Sequence, residues 1–222
     1  MDETSKSKKI WGPLEWSILK GKGIDIGCGV DPVTPEVKKF DQNDGDANII
    51  TQYVHDTFDF VYASHCLEHM HKPREAVLEW WKLVKPGGHL FFLVPDEDLY
   101  EQGVFPSRFN PDHKATFTIS KTQSWSPVSI NVLDLAQSLP NGQLVSLALQ
   151  DKGYDRSALV FGLPRLNRLQ WFVVRAYGWL QRRHCLPFRL ETIEVLKQQI
   201  PVDQTHSLET VAQIQCIVKK LT

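Results

Sequence analysis

The chain has 222 residues, of which 42% are hydrophobic and 23% charged, a composition typical of a folded globular protein with a sizeable core. Its formal net charge of −1 gives no overall attraction to nucleic acid, so we expect no nucleic-acid partner. The N-terminus is too polar for a signal peptide and no apolar run could span a bilayer. We therefore expect a cytoplasmic protein with no integral membrane segment.

The cysteines are widely spaced and include no Cys-x-x-Cys pair. This spacing argues against a zinc ribbon or a disulfide framework and is typical of a reducing compartment. The four are Cys28, Cys66, Cys185 and Cys216.

The first half of the chain predicts a parallel sheet. Residues 1–10 are polar and expected to be frayed, and 11–19 predict a short helix over the edge of the sheet. We predict strands at 22–27, 37–41, 58–63 and 89–94, the last almost wholly apolar like a central parallel strand. Residues 73–84 carry the clearest helical stripe, with Pro73 at its start and Lys85-Pro86-Gly87-Gly88 at its end.

The second half is less regular. Residues 95–126 predict a long loop, which in a compact domain is usually functional, and 126–138 predict a helix with Ser126-Pro127 at its start. Strands are expected at 144–149 and 211–220, the latter as a final edge strand paired with the former. The segment 151–210 between them, rich in arginine and aromatic residues, predicts a helical insertion.

These elements predict an α/β fold with a mostly parallel sheet and a C-terminal antiparallel hairpin interrupted by the insertion. We predict one domain over 1–222, made of an N-terminal arm and helix (1–21), a ligand-binding core (22–150), the insertion (151–210) and the last strand (211–220).

A glycine-rich turn follows the first predicted strand and is the clearest candidate binding site. In Asp25-x-Gly27-x-Gly29 the glycines let a ligand lie against the backbone at the strand end, where nucleotide-like cofactors bind in open α/β sheets. Asp41 ends the second strand, where a carboxylate can accept hydrogen bonds from a ribose. The Asp46 side chain and a nearby backbone N–H suit the amino group and a ring nitrogen of adenine.

A dinucleotide is the obvious rival ligand. Its fingerprint needs a third glycine where this chain has Pro32, and an acid about 20 residues on, whereas Asp41 comes earlier. Asp25 and Asp31 would place negative charge near a pyrophosphate, but they would attract a cationic sulfonium.

In these segments the chain resembles the class I S-adenosylmethionine-dependent methyltransferases. The matching segments occur in the family's order and cover about 23–150, and together they are specific. They are Ile24-Asp25-Ile26-Gly27-Cys28-Gly29, Asp41, Gly45-Asp46-Ala47, 58–69 and Leu83-Val84-Lys85-Pro86-Gly87-Gly88-His89-Leu90. The resemblance implies a Rossmann-like methyltransferase fold, methyl transfer as the reaction and S-adenosyl-L-methionine as the cofactor.

The resemblance also implies which residues bind the cofactor. Asp25, Gly27, Cys28 and Gly29 would line its methionine part and Asp41 its ribose. Asp46 and Ala47 would contact the adenine, and Ser64 and His65 would flank the methyl donor. The family often has a third glycine where this chain has Asp31. Residues 94–103 and 110–113 are more loosely similar to a bacterial subgroup associated with surface-polysaccharide or sugar metabolism, which suggests a small-molecule or saccharide acceptor.

His65-Cys66-Leu67-Glu68-His69 has the His-x-x-Glu-His form of an inverted zinc protease. A strand runs directly into His65, so no long helix is available, and no third ligand has a suitable spacing. We therefore predict no metal site here, and expect a helix start with Glu68 facing the cofactor or backbone N–H groups.

Candidate catalytic groups lie in the loops that follow the strands. A hydroxyl acceptor must lose its proton, and a histidine can take it, whereas an amine or a carboxylate needs no strong base. His113 in the long loop is the first candidate base and His69 the second. The alternative is that His113 only packs or caps its loop.

The insertion allows several interpretations. Its predicted helix 165–183 could cover the substrate, form a homodimer contact through 154–208, or lie at a membrane interface; alternatively it is a half-buried helix with exposed arginines. An anionic substrate such as a sugar phosphate would also explain the arginines. Two rival functions remain at this stage, a nucleotide-linked oxidoreductase and a non-catalytic cofactor-binding partner subunit.

Overall fold

The computed structural model describes residues 3–163, 166–183, 191–197 and 199–222. Its strands are β1 (Gly23–Ile26), β2 (Lys38–Phe40), β3 (Phe58–Ser64), β4 (Val84–Pro95), β5 (Thr116–Thr118), β6 (Ser129–Asn131), β7 (Gly142–Gln150) and β8 (Gln213–Lys220). Its helices are α1 (Glu3–Lys8), α2 (Pro13–Ile18), α3 (Pro73–Lys82), α4 (Val132–Gln137), α5 (Arg168–Arg182) and α6 (Glu191–Lys197).

Six strands form the central sheet, in the order β2-β1-β3-β4-β8-β7. Strands β1 to β4 are parallel to one another, whereas β8 is antiparallel to both β4 and β7. This arrangement confirms the predicted α/β fold with its C-terminal antiparallel hairpin. Strands β5 and β6 form a separate parallel pair.

The core lies on both faces of the sheet because successive side chains along each strand alternate sides. On one face Val61 and Leu90 pack with Trp80 of α3 and Leu135 of α4. On the other face a smaller cluster joins Tyr62 of β3 and Phe91 of β4 to Trp11, just before α2. The segment 11–19 therefore covers the middle strands and not, as predicted, an edge.

The prediction that 211–220 forms an edge strand is wrong. Strand β8 lies between β4 and β7, and β7 is the edge. The alternation of Gln213 and Gln215 with apolar residues indicated a strand, and both glutamines are buried. Their side-chain amides are hydrogen-bonded to Gln150 and to other side chains, which satisfies polar groups that would otherwise favour solvent.

Two predicted boundaries also change. The helix expected over 126–138 begins only at Val132, because Asn131 caps it by accepting a hydrogen bond from the Asp134 N–H (3.1 Å) and β6 occupies 129–131. The glycine turn at 85–88 is a bulge within β4, where the register with β3 shifts. The long loop 95–126 contains one turn of π-helix, Glu97–Glu101, and strand β5.

The prediction of a frayed N-terminus is wrong as well. Residues 3–8 form α1, in which Lys6 and Ser7 are buried. The Lys6 ammonium donates to the Thr205 carbonyl, and the Gln213 side-chain amide donates to the Ser7 hydroxyl (2.8 Å). These partners lie about 200 residues away in sequence, so a polar composition alone did not indicate the contact.

Within the insertion, α5 and α6 pack against each other. The Gly162 N–H donates to the Gln102 carbonyl (2.7 Å), which joins the insertion to the loop after β4. Arg165 and Arg189 lie outside the described residues. The division of 1–222 into one domain and its parts stays a prediction. Within the described ranges, no helix has the length and apolar character needed to cross a membrane.

Candidate functional site

A cavity of about 780 Å³ opens where β1, β2 and β3 end. This volume is in the usual range for a site that encloses a small organic ligand. It lies at the carboxyl ends of parallel strands, the position expected for ligands in open α/β sheets. Its lining includes eight of the nine residues predicted to bind the cofactor, namely Gly27, Cys28, Gly29, Asp41, Asp46, Ala47, Ser64 and His65.

The glycine turn passes directly beneath this space. Gly27 and Gly29 have φ angles of 75° and 52°, in the left-handed region that favours glycine. A Cβ atom on Gly27 would lie 2.7 Å from the Cys66 sulfur. The turn therefore needs glycine at 27 for two reasons, its backbone angle and its contact with the chain that follows β3.

Asp25 is the one predicted cofactor residue that does not line the cavity. It is buried in β1, and its Oδ2 accepts a hydrogen bond from the Val33 N–H (2.7 Å), so it holds the far end of the glycine turn. Its Oδ1 is buried with no hydrogen-bond partner. Burial, only partly opposed by the Val33 bond, raises the pKa of Asp25 to about 7.

The two acids expected on the ribose and the adenine lie at the cavity wall. Asp41 Oδ2 accepts from the Gly29 N–H (2.7 Å), which ties the end of β2 to the glycine turn. Asp46 Oδ1 accepts from the side-chain amide and from the backbone N–H of Asn48 (2.8 Å each). These two bonds lower the pKa of Asp46. The Trp80 indole donates to the Ala47 carbonyl (2.9 Å), so α3 positions the predicted adenine loop.

His65 occupies a strained position immediately after β3. Its φ angle is 50°, uncommon for a residue with a side chain. Its Nε2 donates to the side-chain oxygen Oε1 of Gln213 (2.8 Å), and its Nδ1 lies 3.4 Å from Glu68 Oε1. Burial opposes the imidazolium, but Glu68, with Glu3 and Gln213, outweighs it and raises the pKa of His65 to about 9.

The two candidate bases, His113 and His69, both line the cavity, with ring centroids 5.1 Å apart. The buried His113 ring is bonded through Nδ1 to Glu101 Oε1 (2.6 Å) and stacks on Tyr100. His69 is half-buried, and its Nδ1 is bonded to Asp112 Oδ2 (2.9 Å). In each ring the carboxylate binds Nδ1, so Nε2 is available to another partner.

Glu68 completes this group. Its side chain is 1% exposed and lines the cavity, and neither carboxylate oxygen has a hydrogen-bond partner. Burial opposes its ionisation, but His65, His113 and His69 hold the pKa of Glu68 below its ordinary value. The side-chain ligand atoms of Glu68, His69 and His113 all lie within 4.8 Å of one another.

The group of Glu68, His69 and His113 differs from the pair of histidines that the sequence pattern indicated. The His-x-x-Glu-His pattern pairs His65 with His69, but the His65 ring is bonded to Gln213. The missing third member is His113, 44 positions beyond His69, which the loop after β4 brings back to the site. Spacing could not identify it because a fold, and not a local motif, joins the two segments.

Other wall residues had no sequence signal. Glu3 and Thr4 come from the N-terminus, Tyr100 from the π-helical turn and Thr205 from the end of the insertion. These residues reach the cavity through tertiary contacts between segments that are distant in sequence.

The wall carries more negative than positive charge, because the cationic His65 ring is outnumbered by acids. Among the described lining residues are six acids and no lysine or arginine. The acids are Glu3, Asp31, Asp41, Asp46, Glu68 and Asp112. The described arginines of the insertion lie elsewhere, and Arg156, for example, pairs with Asp151 (2.7 Å). A wall of this kind suits a cationic sulfonium and disfavours a sugar phosphate.

Residues 14–199 match a family model described as a methyltransferase domain. A candidate methyltransferase from Bacillus halodurans C-125 has a TM-score of 0.50 and 14% identity, over 94% of this chain and 97% of that one, and so shares the fold. A SAM-dependent methyltransferase from Archaeoglobus fulgidus has a TM-score of 0.49 and 15% identity, over 99% and 95%. Among curated proteins, none matches this chain significantly.

Proposed function

Because this chain belongs to the methyltransferase-domain family, as a class I S-adenosylmethionine-dependent enzyme, we propose that it methylates an uncharged small-molecule or saccharide acceptor at a hydroxyl oxygen. One observation carries the proposal: residues predicted for the cofactor and residues predicted for proton transfer line the same cavity. S-adenosylmethionine supplies a methyl group on a positively charged sulfur.

The residues fit this cofactor. Asp41 would hold the ribose hydroxyls, Asp46 and Ala47 the adenine, and Gly27 and Gly29 would let the methionine part lie against the backbone. Asp25 acts from beneath by holding the glycine turn through Val33. Ser64 and His65 would flank the methyl group, since they lie at the end of β3 and both line the cavity.

Methylation of a hydroxyl requires the sulfur–methyl bond of the cofactor to break and the hydroxyl proton to leave. As the oxygen–carbon bond forms, the sulfur–carbon bond breaks and the sulfonium becomes a neutral thioether. His113 and His69 are the groups proposed to promote loss of the acceptor proton, because each offers Nε2 while Nδ1 is held by a carboxylate. Holding the oxygen close to the methyl group is the remaining requirement, which the cavity wall would supply.

The wall supports an uncharged acceptor over an anionic one. Six acids and no described lysine or arginine would repel a phosphate group. Hydroxyl groups, in contrast, can donate to these carboxylates, as sugars do.

Calorimetric titration with S-adenosylhomocysteine and with NAD(H) tests the cofactor. We expect S-adenosylhomocysteine to bind and NAD(H) not to bind. Asp41→Ala should weaken binding about 10- to 100-fold, since hydrogen bonds to a charged group contribute about 1.5–3 kcal/mol. Asp56→Ala, on an exposed carboxylate outside the cavity, is the matched control and should bind normally. Binding of NAD(H) alone would favour the oxidoreductase.

Turnover needs a separate measurement. With an isotope-labelled methyl donor and fractionated cell extracts, we expect label in an uncharged hydroxyl compound. Label in a phosphorylated product would contradict the acceptor class. Cofactor binding without any labelled product across varied extracts would favour a non-catalytic partner subunit.

The proposal includes a homodimer through 154–208. Helix α5 exposes apolar side chains, with Leu169 and Phe172 each 71% exposed, and a second copy would remove them from water. Light scattering on the purified chain tests this, because a monomeric mass at micromolar concentration would contradict it.

A further inference from the structure

The group formed by Glu68, His69 and His113 has the donor set of a metal centre. Two imidazoles and one carboxylate, with remaining positions open, are the protein ligands of many catalytic zinc and non-haem iron sites. The three ligand atoms lie within 4.8 Å of one another. Ligands about 2.0–2.2 Å from a tetrahedral zinc ion are roughly 3.3–3.6 Å apart, so closure by about an ångström would complete the site.

Glu68 is the independent observation that points to a ligand. A buried carboxylate normally accepts hydrogen bonds, because leaving it unpaired costs free energy. Glu68 is 1% exposed, faces the cavity and accepts none. The His65 Nδ1 lies 3.4 Å from Glu68 Oε1, beyond a normal hydrogen bond. An ion bound between Glu68 and the two other histidines would use an unpaired oxygen.

The surroundings of the two histidine rings add a second argument. In metal sites, the ring nitrogen that does not bind the ion usually donates to a carboxylate or a carbonyl, which fixes the orientation of the ring. In both rings Nδ1 is bonded to a carboxylate, that of Asp112 for His69 and that of Glu101 for His113, so an ion held through Nε2 would have this arrangement. Glu101 is itself buried, and Tyr100 stacks on His113, so the orientation of the His113 ring is fixed from two sides.

We propose that Glu68, His69 and His113 bind a divalent transition-metal ion, of the zinc type, whose open positions face the acceptor part of the cavity. With the ion bound, His69 and His113 would act as its ligands and not as bases. An acceptor oxygen bound to the ion would then lose its proton to solvent more readily, because a divalent ion lowers the pKa of a hydroxyl that it binds. The acceptor role rests on the proposed methyl transfer; the metal site itself rests only on the three side chains.

Metal binding is measured directly on the full chain without a polyhistidine tag. After treatment with a chelator, the protein is titrated with Co²⁺, followed by visible absorption, and with Zn²⁺ against a chromophoric chelator. We expect one ion per chain and a Co²⁺ spectrum of four or five ligands. Glu68→Gln and His69→Ala should each weaken binding at least 100-fold. Asp112→Asn should weaken it about 10-fold, as loss of a partner to a ligating histidine does.

His55→Ala is the matched control, since His55 is exposed and lies outside the cavity. It should bind the ion like the unaltered chain. The proposal is overturned if the unaltered chain binds no ion at micromolar concentration, or if Glu68→Gln and His69→Ala bind as tightly as His55→Ala. Should Glu68→Gln fail to fold, His69→Ala decides, because the His69 side chain is half-exposed and its loss leaves the core intact.

Binding of S-adenosylhomocysteine separates this proposal from the proposed function. If S-adenosylhomocysteine binds and no ion does, the methyltransferase assignment stands and the metal site is wrong. If an ion binds through these residues and S-adenosylhomocysteine does not, the metal site stands and the cofactor assignment of the cavity is wrong.

Discussion

At the scale of single residues, the cavity depends on carboxylates in contrasting surroundings. Asp41 and Asp46 lie at the wall, where their oxygens can meet a ligand. Asp25 and Glu68 are buried; one oxygen of Asp25 and both oxygens of Glu68 lack a hydrogen-bond partner. The sequence shows all four only as aspartate or glutamate; the structure shows that Asp41, Asp46 and Glu68 line the cavity, whereas Asp25 lies beneath it and holds the glycine turn.

Asp25 should make stability depend on pH. Because its pKa is raised from near 3.8 to about 7, the folded protein keeps a proton that the unfolded chain releases. In the cofactor-free protein, the contribution of Asp25 to the free energy of unfolding should therefore be full below about pH 4. It should decrease as the pH rises to about 7, by on the order of 4 kcal/mol in total. Asp25→Asn keeps an acceptor for Val33 and should remove this decline, as measured by urea unfolding from pH 5 to 8.

Asp56→Asn provides the comparison for that experiment. Asp56 is exposed, and its pKa is lowered by its hydrogen bond to Lys22. Its substitution should leave the decline in place. An unchanged decline in Asp25→Asn would mean that Asp25 does not carry it.

At the scale of elements, the turn between β1 and β2 is set by contacts on both sides. Gly27 sits against Cys66, at the end of β3, and Gly29 donates to Asp41, at the end of β2. Three strand ends thus share one turn. The motif Asp25-x-Gly27-x-Gly29 indicated the turn, and the parallel pairing of β1 with both β2 and β3 decided what it touches.

Two glycines with similar backbone angles separate the effect of the left-handed conformation from the effect of the contact with Cys66. Gly27 has φ 75° and Gly87 has φ 80°, but a Cβ on Gly87 would meet nothing within 4 Å. Gly87→Ala should cost only the left-handed strain, about 1–2 kcal/mol, and leave S-adenosylhomocysteine affinity unchanged within about twofold. Gly27→Ala must also displace Cys66, so affinity should fall at least about tenfold, as measured by calorimetry. Equal affinities would show that the contact is unimportant.

At the scale of the whole molecule, the cavity is closed by segments from both ends of the chain. The Ser5 backbone N–H donates to Asp31 (2.7 Å), which ties α1 to the glycine turn. Lys6 reaches the Thr205 carbonyl, and Thr205 lines the cavity. The first turn of the chain and the end of the insertion therefore form one wall.

Two lysines test this wall. Lys6 and Lys9 each donate to a carbonyl 199 residues away, but Lys6 is buried and Lys9 is exposed. Lys6→Met should lower the free energy of unfolding by about 1–3 kcal/mol, because it leaves a buried carbonyl and Glu3 without their donor. Lys9→Met should change it by less than about 0.5 kcal/mol. Chemical denaturation measures both, and equal effects would contradict the buried role of Lys6.

Much of the fold and half of the site followed from local patterns. The stripe Ala76, Val77, Trp80 and Trp81 is buried as predicted, because helix and strand periods are properties of neighbouring residues. The glycine turn and Asp41 were predicted for the same reason, since each follows a strand that its own residues specify, and both line the cavity, as does Asp46. The family of the chain followed from these segments together.

Long-range contacts decided the rest. Gln213 and Gln215 are buried because β8 pairs on both sides, and α1 is ordered because its partners lie near residues 205 and 213. His113 joins Glu68 and His69 only because the loop after β4 returns to the end of β3. Pairing across the sheet depends on which distant segments, taken together, bury apolar surface and satisfy polar groups. A local sequence pattern cannot show this, because it contains only one of those segments.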